Sequence, residues 1–411
     1  MATLIRDTFT DANDTLLGSH IGETNATWAS NTGFGSGNGN ADEFIIKSNQ
    51  LRRVDFTDMV GFSGGTALAY SSTSPSLDAL PHFDITFDLT FETGVTNSET
   101  ALYYAAEGVS ATLIATIGNT LISISGGGSY AFSPVADQAY AIKLLRRGDI
   151  VALFVDDVMI EALPGVSMTG KFGISMFDVS ATTLTHIDNL LVESVEGVAY
   201  YDEFSGTGTL SGYASDSGAS YLAVSGALTS MIRGSGFLRP DSTASTRVVL
   251  ADVEMPEGSP KIEMFAQRAA GGAGLWIISM RLQSQTSADL FGMSLRFLSG
   301  VTELWLYDGT TTVIQDVNEL LGTPSPLTGV VCHVTTSFDA GTSELVVTLN
   351  GPEVYRQPVA TVDTETWRPT VEMRTDSTTT GVRLYRVMAS AETPPVTPAF
   401  WTNLIKTQEV I

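Results

Sequence analysis

Three carboxylates on one alternating run are the first residues to test for chemistry. In Phe83-Asp84-Ile85-Thr86-Phe87-Asp88-Leu89-Thr90-Phe91 the apolar and polar residues alternate. Asp84, Asp88 and, one step past the run, Glu92 therefore share the polar face of a strand. A carboxylate pair that cleaves a glycosidic bond stands about 5–9.5 Å apart. Neighbours here are about 13 Å apart at strand rise, so the three read as a solvated strand face. Gly61-Phe62-Ser63-Gly64-Gly65 has the spacing of a nucleophile elbow, which needs a helix after the serine and an Asp and a His downstream. The following Thr66-Ala67-Leu68-Ala69-Tyr70-Ser71-Ser72 has no helical period, and a glycine-rich turn is expected instead. Cys332 and His333 adjoin in an alternating stretch, so they point to opposite faces and cannot pair as nucleophile and base.

Binding motifs are equally incomplete. His20, His82, His186 and His333 have no mutual metal spacing. Asn38, Asn40, Asp42 and Glu43 offer oxygens, but Glu43 stands where a calcium loop of the helix–loop–helix type takes glycine. Gly33 to Asn40 is glycine-rich without completing a dinucleotide fingerprint, and reads as a loop. Asp156-Asp157 reads as a tight turn. Arg147-Gly148-Asp149 spells an adhesion tripeptide, yet it falls where a hairpin must turn. Trp28, Trp276, Trp305 and Trp367 could offer planes on which sugar rings stack, although core packing is the ordinary role of Trp in a sandwich. No catalytic residue, cofactor or metal is assigned, and a non-enzymatic protein is expected.

Composition narrows the partners. Against 45 acidic residues stand 21 basic ones, a net charge of −24, which disfavours nucleic acid and anionic membrane surfaces. A single cysteine excludes an internal disulfide framework. The start Met1-Ala2-Thr3-Leu4-Ile5-Arg6-Asp7 is not a basic stretch followed by an apolar one, and no run of about 18 apolar residues occurs, so a soluble protein without a leader is expected.

The elements that must carry these residues are strands throughout. Thr112–Ile117 and Thr120–Ser125 flank Gly118-Asn119 as a hairpin, and Ala141–Leu145 and Val151–Val155 form another. Asp316 to Leu321 offers one helical turn at most. The order of elements recurs. Arg6-Asp7-Thr8-Phe9 opens one half and Tyr201-Asp202-Glu203-Phe204 the other. Each half then shows a long strand (Phe83–Phe91 and Arg247–Glu254), a hairpin (Thr112–Ser125 and Leu295–Tyr307), and three strands with tight turns. Each closes on a strand pair: Lys171–Phe177 with Leu184–Val192, and Thr370–Arg374 with Val382–Met388. This predicts an all-β chain of two tandem antiparallel sandwiches, 1–196 and 197–393. Pro394-Pro395-Val396-Thr397-Pro398 then leads into a tail, 394–411. Its Phe400, Trp401, Leu404 and Ile405 suit docking to a partner.

The run Leu144-Leu145-Arg146-Arg147-Gly148-Asp149-Ile150-Val151-Ala152-Leu153-Phe154-Val155-Asp156-Asp157-Val158 resembles the central hairpins of concanavalin A-like, laminin-G-like jelly rolls. Leu184 to Val192 looks like that family's closing strand. Asp7-Thr8-Phe9 through His20, with Thr27-Trp28, resembles the start of jelly-roll modules in tailed-bacteriophage virion proteins. The resemblance implies a concanavalin A-like jelly roll. It implies a structural virion protein, a capsid decoration or tail appendage, assembled in the bacterial host cytoplasm with other virion proteins and copies of itself. The alternative is a lectin-like pair of carbohydrate-binding modules for host surface glycans.

Overall fold

The structure, a computed structural model, describes residues 2–12, 15–30, 44–53, 65–71, 80–93, 98–105, 112–168, 170–178, 185–241, 245–255, 259–268, 276–284, 290–297, 302–308, 312–316, 329–339, 342, 344–358, 367–375 and 382–392. The tail 394–411, the Gly33–Glu43 stretch and Gly61–Gly64 lie outside them, as do residues 317–321 of the helical turn expected from Asp316. Among the described residues there is no α-helix, only two single 3-10 turns, Leu17–Ser19 and Leu228–Ser230. The chain divides into two compact units, one built mainly on Met1–Val195 and the other mainly on the residues from Glu196 onward, with Gly329–His333 and Leu349–Pro352 grouped with the first.

Both units are jelly-roll sandwiches with one topology. The larger sheet of the first unit runs Val158–Leu163, Ile150–Val155, Ala139–Arg147, His82–Phe91, Thr185–Ser194, Leu51–Arg53, Phe44–Ile46, Thr15–Leu16, with Ala2–Asp7 also on Thr185–Ser194. The larger sheet of the second runs Glu353–Pro358, Glu344–Leu349, Val331–Asp339, Ser259–Arg268, Val382–Glu392, Leu238–Pro240, Met231–Gly234, Thr207–Thr209, with Val198–Asp202 on Val382–Glu392. The opposed sheets have seven strands each. In the first unit the order is Ser129–Ala131, Leu121–Ile124, Thr112–Gly118, Glu99–Ala105, Lys171–Asp178, Gly65–Ser71, Trp28–Ser30. In the second it is Thr312–Asp316, Thr302–Asp308, Leu290–Phe297, Trp276–Ser284, Trp367–Thr375, Ser245–Ala251, Tyr221–Ser225.

The period-two pattern builds the core. Phe83, Ile85, Phe87, Leu89 and Phe91 all point inward and meet Leu102, Ile114 and Ile174 of the opposed sheet in one apolar cluster. Turn chemistry sets register: Asp156 and Asp157 take φ of 48° and 61°, left-handed values that Asp tolerates, and close a two-residue hairpin.

Two sequence expectations are corrected here. The counterpart of His82–Phe91 is Ser259–Arg268, whereas Ser245–Ala251 corresponds by sheet position to Gly65–Ser71. The closing strands do not pair with each other: Lys171–Asp178 lies in the seven-stranded sheet and Thr185–Ser194 in the larger one, and Trp367–Thr375 and Val382–Glu392 are divided alike. Alternation marks a strand but carries no partner, and the connections 179–184 and 376–381 are long enough to cross between sheets.

The shared Asp-x-Phe opening has a structural reason. Asp7 is wholly buried, and its Oδ1 accepts from the Phe9 amide (2.9 Å) and meets His20 Nε2 (2.8 Å), while Oδ2 accepts from Trp28 Nε1 (3.0 Å). Asp202, equally buried, accepts from the Phe204 amide (2.6 Å), Tyr213 (2.8 Å) and Tyr221. Both phenylalanines have positive φ, 49° and 52°. Such strain costs about 1–3 kcal/mol in a bulky residue and persists because the aspartate and the buried ring hold it. Ile21–Thr27 and Ala214–Ser220 form matching bridges between the two ring donors of each corner.

Candidate functional site

In the second unit, the face of the seven-stranded sheet that turns away from the core is polar and charged. Along Trp276–Ser284, Ile278, Met280 and Leu282 are buried in the core, so alternation sends Ser279 and Arg281 the other way. Register places Ser279 between Ser294 and Glu372, Ser294 beside Trp305, Arg281 beside Gly292, and Arg296 beside Glu303. Ser279 and Ser294 are wholly buried, and the partly exposed Arg281, Glu372, Arg296, Trp305 and Glu303 stand over and around them.

The side chains are interlocked. Ser279 Oγ and Ser294 Oγ are 2.5 Å apart. Arg281 pairs with Glu372 and donates to Ser279 Oγ at 3.1 Å. The Arg296 guanidinium lies 3.0 Å from the centroid of the Trp305 ring, and Trp305 Nε1 donates to Glu303 Oε2 at 2.8 Å. The fold does not require these charges. The seven corresponding strands of the first unit contain one basic residue, Lys171; those of the second contain five, Arg247, Arg281, Arg296, Arg368 and Arg374. The face gathers planar donors, carboxylate acceptors and a half-buried indole, the groups that hydrogen-bond sugar hydroxyls and lie against sugar rings.

The structure separates the other candidates. Asp84 is buried, not solvated: Arg147 Nη1 lies 2.7 Å from its Oδ1 and Lys143 Nζ 3.7 Å from its Oδ2. Asp88 accepts from Asn189 Nδ2 at 2.7 Å, and Glu92 is bound by Arg52 and His186. The three carboxylates therefore serve three different networks. Their partners lie on other strands, which alternation alone could not reveal. Arg147 is only 1% exposed, so the adhesion tripeptide is not presented. Gly65–Ser71 is a strand, which denies Ser63 the helix an elbow needs. Asp156 Oδ1 accepts from the Ala141 amide at 2.8 Å, as turn chemistry requires. Trp28 is core, whereas Trp305 stands on the polar face; the side chains of Trp276 and Trp367 lie outside the described residues. His20, His82, His186 and His333 are all buried. Among the described residues no group of three or more His, Cys, Asp or Glu side chains is placed to hold a metal.

Cys332 is wholly buried, and burial pushes its thiol up to about 12. The native chain should therefore resist a thiol reagent near pH 8 and react fully once denatured. Fast labelling of the folded chain would show that the strand around Cys332 opens.

No protein-family model matches the sequence, and no curated protein matches it. Each of the solved structures below covers less than half of this chain. A β-glucanase from Bacillus licheniformis is 10% identical and covers 48% of this chain and 100% of its own, with a TM-score of 0.34. The carbohydrate recognition domain of Emp47p is 10% identical, covers 48% of this chain and 99% of its own, and has a TM-score of 0.32. A carbohydrate-binding module from Bacillus subtilis is 18% identical and covers 41% and 92%, with a TM-score of 0.27.

Proposed function

We propose that this is a non-catalytic carbohydrate-binding protein, and that the polar face of the second unit's seven-stranded sheet receives the glycan. One observation carries the reading: the partly exposed Arg281–Glu372 and Arg296–Trp305–Glu303 groups stand over the buried Ser279–Ser294 pair, on a sheet whose counterpart in the first unit has a single basic residue. Low overlap scores with known sugar-binding structures carry no weight in it. Binding is favoured over cleavage because the carboxylates on this face, Glu303 and Glu372, are already engaged by Trp305 and Arg281 respectively.

A glycan array with the full chain should give saturable, sugar-selective binding, with no release of reducing ends from the bound glycans. Trp305→Ala should weaken that binding about tenfold or more, and Trp305→Phe should weaken it less, because a ring remains. Flat array signals, or binding indifferent to both variants, would remove the face from consideration. The virion role implied by the opening residues is compatible with this reading, as an appendage that grips host glycans.

A further inference from the structure

The first unit ends, on one side, in a pocket. Strand His82–Phe91 of the larger sheet stops there, with Glu92 just beyond it. The Asn119-Thr120 turn of the opposed sheet faces it, and the segment after Ser129–Ala131 crosses between the two sheets. Phe91, Glu92, Asn119, Phe132, Ser133 and Pro134 line a cavity of about 350 Å³. That is within the range of small-ligand sites, about 300–1,000 Å³.

Its walls are pinned before any ligand arrives. The Phe132 amide donates to the Thr120 carbonyl (2.9 Å), the Asp137 amide to the Phe91 carbonyl (2.7 Å), and the Val135 amide to the Tyr140 hydroxyl (2.6 Å). Phe132 packs edge-on against Phe91 and Tyr140, with centroids 6.3 and 5.2 Å away. Thr93 donates to Asp137 at 3.0 Å.

Glu92 is oriented by residues from two other strands. Its Oε1 takes both Arg52 Nη1 (3.0 Å) and His186 Nε2 (2.8 Å), and Arg52 Nη2 is held by Gln50 at 3.0 Å. Burial first, and the Arg52 charge second, hold the His186 imidazole below its ordinary range, so the neutral ring donates through Nε2. Among the described residues Oε2 has no partner. A fixed carboxylate oxygen therefore stands in a pocket with an amide (Asn119), a hydroxyl (Ser133) and two aromatic rings.

We propose that this pocket is a second, separate binding site, which takes one neutral hydroxyl-bearing ring such as the terminal residue of a glycan. Charge selects the class. An anion would meet Glu92, and a cation would meet a carboxylate that Arg52 already neutralises. Vicinal hydroxyls donate to Oε2 and exchange hydrogen bonds with Asn119 and Ser133, while the ring face lies against phenylalanine. The site differs in kind from the sheet face of the second unit: it is a concave pocket of about 350 Å³ at the end of the first sandwich.

Ligand-observed NMR and calorimetry on the full chain test this, with methyl glycosides of glucose, galactose and mannose as probes, and glucuronate and glucosamine as charged counterparts. At least one neutral glycoside should bind. Glu92→Gln and Asn119→Ala should each weaken it about tenfold or more. Asn119 sits on a turn, so N119A decides the matter if E92Q lowers the melting temperature. Failure of all three glycosides, tighter binding of either charged sugar, or binding that survives both pocket variants would overturn the proposal. Loss of binding in W305A would also overturn it, by placing the ligand on the sheet face instead.

Discussion

Raising the pH from about 5 to about 8 should destabilise the second unit, by an amount on the order of a few kcal/mol. The cause is Asp202. Its carboxyl is wholly buried, and burial raises it to about 7 despite the hydrogen bonds from Tyr221, Phe204 and Tyr213; Asp216 adds to the rise. In the unfolded chain the same carboxyl ionises near its ordinary value of 3.8. Between those values the unfolded state releases a proton that the folded state keeps. Stability is thus full below the unfolded value, falls as the pH climbs, and levels off above about 7. Tyr200 and Tyr221 are held far above their ordinary range by burial and remain donors throughout.

The measurement is scanning calorimetry of the full chain at several pH values, beside Asp202→Asn. Asparagine still accepts from the Phe204 amide and carries no charge, so D202N should flatten the profile of one transition. The idea fails if that transition is insensitive to pH in the wild type, or keeps its slope in D202N. The first unit lacks such a clear sign. His20 is raised, because contacts with Asp7 and Asp11 together outweigh its burial, and it loses stability as pH rises; His186 is lowered and acts oppositely.

Arg147→Ala should cost the first unit about 3–5 kcal/mol, the penalty for leaving a buried charge without its partner. Arg147 Nη1 lies 2.7 Å from Asp84 Oδ1 and also donates to the carbonyls of Phe83 and Arg146, at 3.2 and 2.8 Å. Lys143, 3.7 Å from the other oxygen and more than a third exposed, replaces little of this. Arg147→Met combined with Asp84→Leu removes both charges and should recover most of the loss. Urea unfolding of the two variants beside the wild type measures it. A single-variant loss under about 1 kcal/mol would mean that Lys143 and solvent suffice for Asp84.

Much of the architecture was open to direct reading. The run from Phe83 to Phe91, the Asp156-Asp157 turn, and the Asp-x-Phe openings all stand in the structure as local signals, each decided by residues within a few positions of one another. The candidate site was legible only in fragments. Trp305 could be named as a sugar platform, but not told from Trp28, since residue type alone does not say which of the two is buried in a core.

What the sequence determined by itself was therefore local: strand, turn, and the face on which each side chain emerges. A period of two and a left-handed turn residue are enough for that. Only the tertiary structure decided which strands lie together, and with that which polar residues are dry. Glu92 meets Arg52 from 40 positions away and His186 from 94; Asp84 meets Arg147 from 63. Closing a longer loop costs little more than closing a short one. Pairing is instead chosen by the sum of burial over both sheets, and no single stretch of the chain contains that sum.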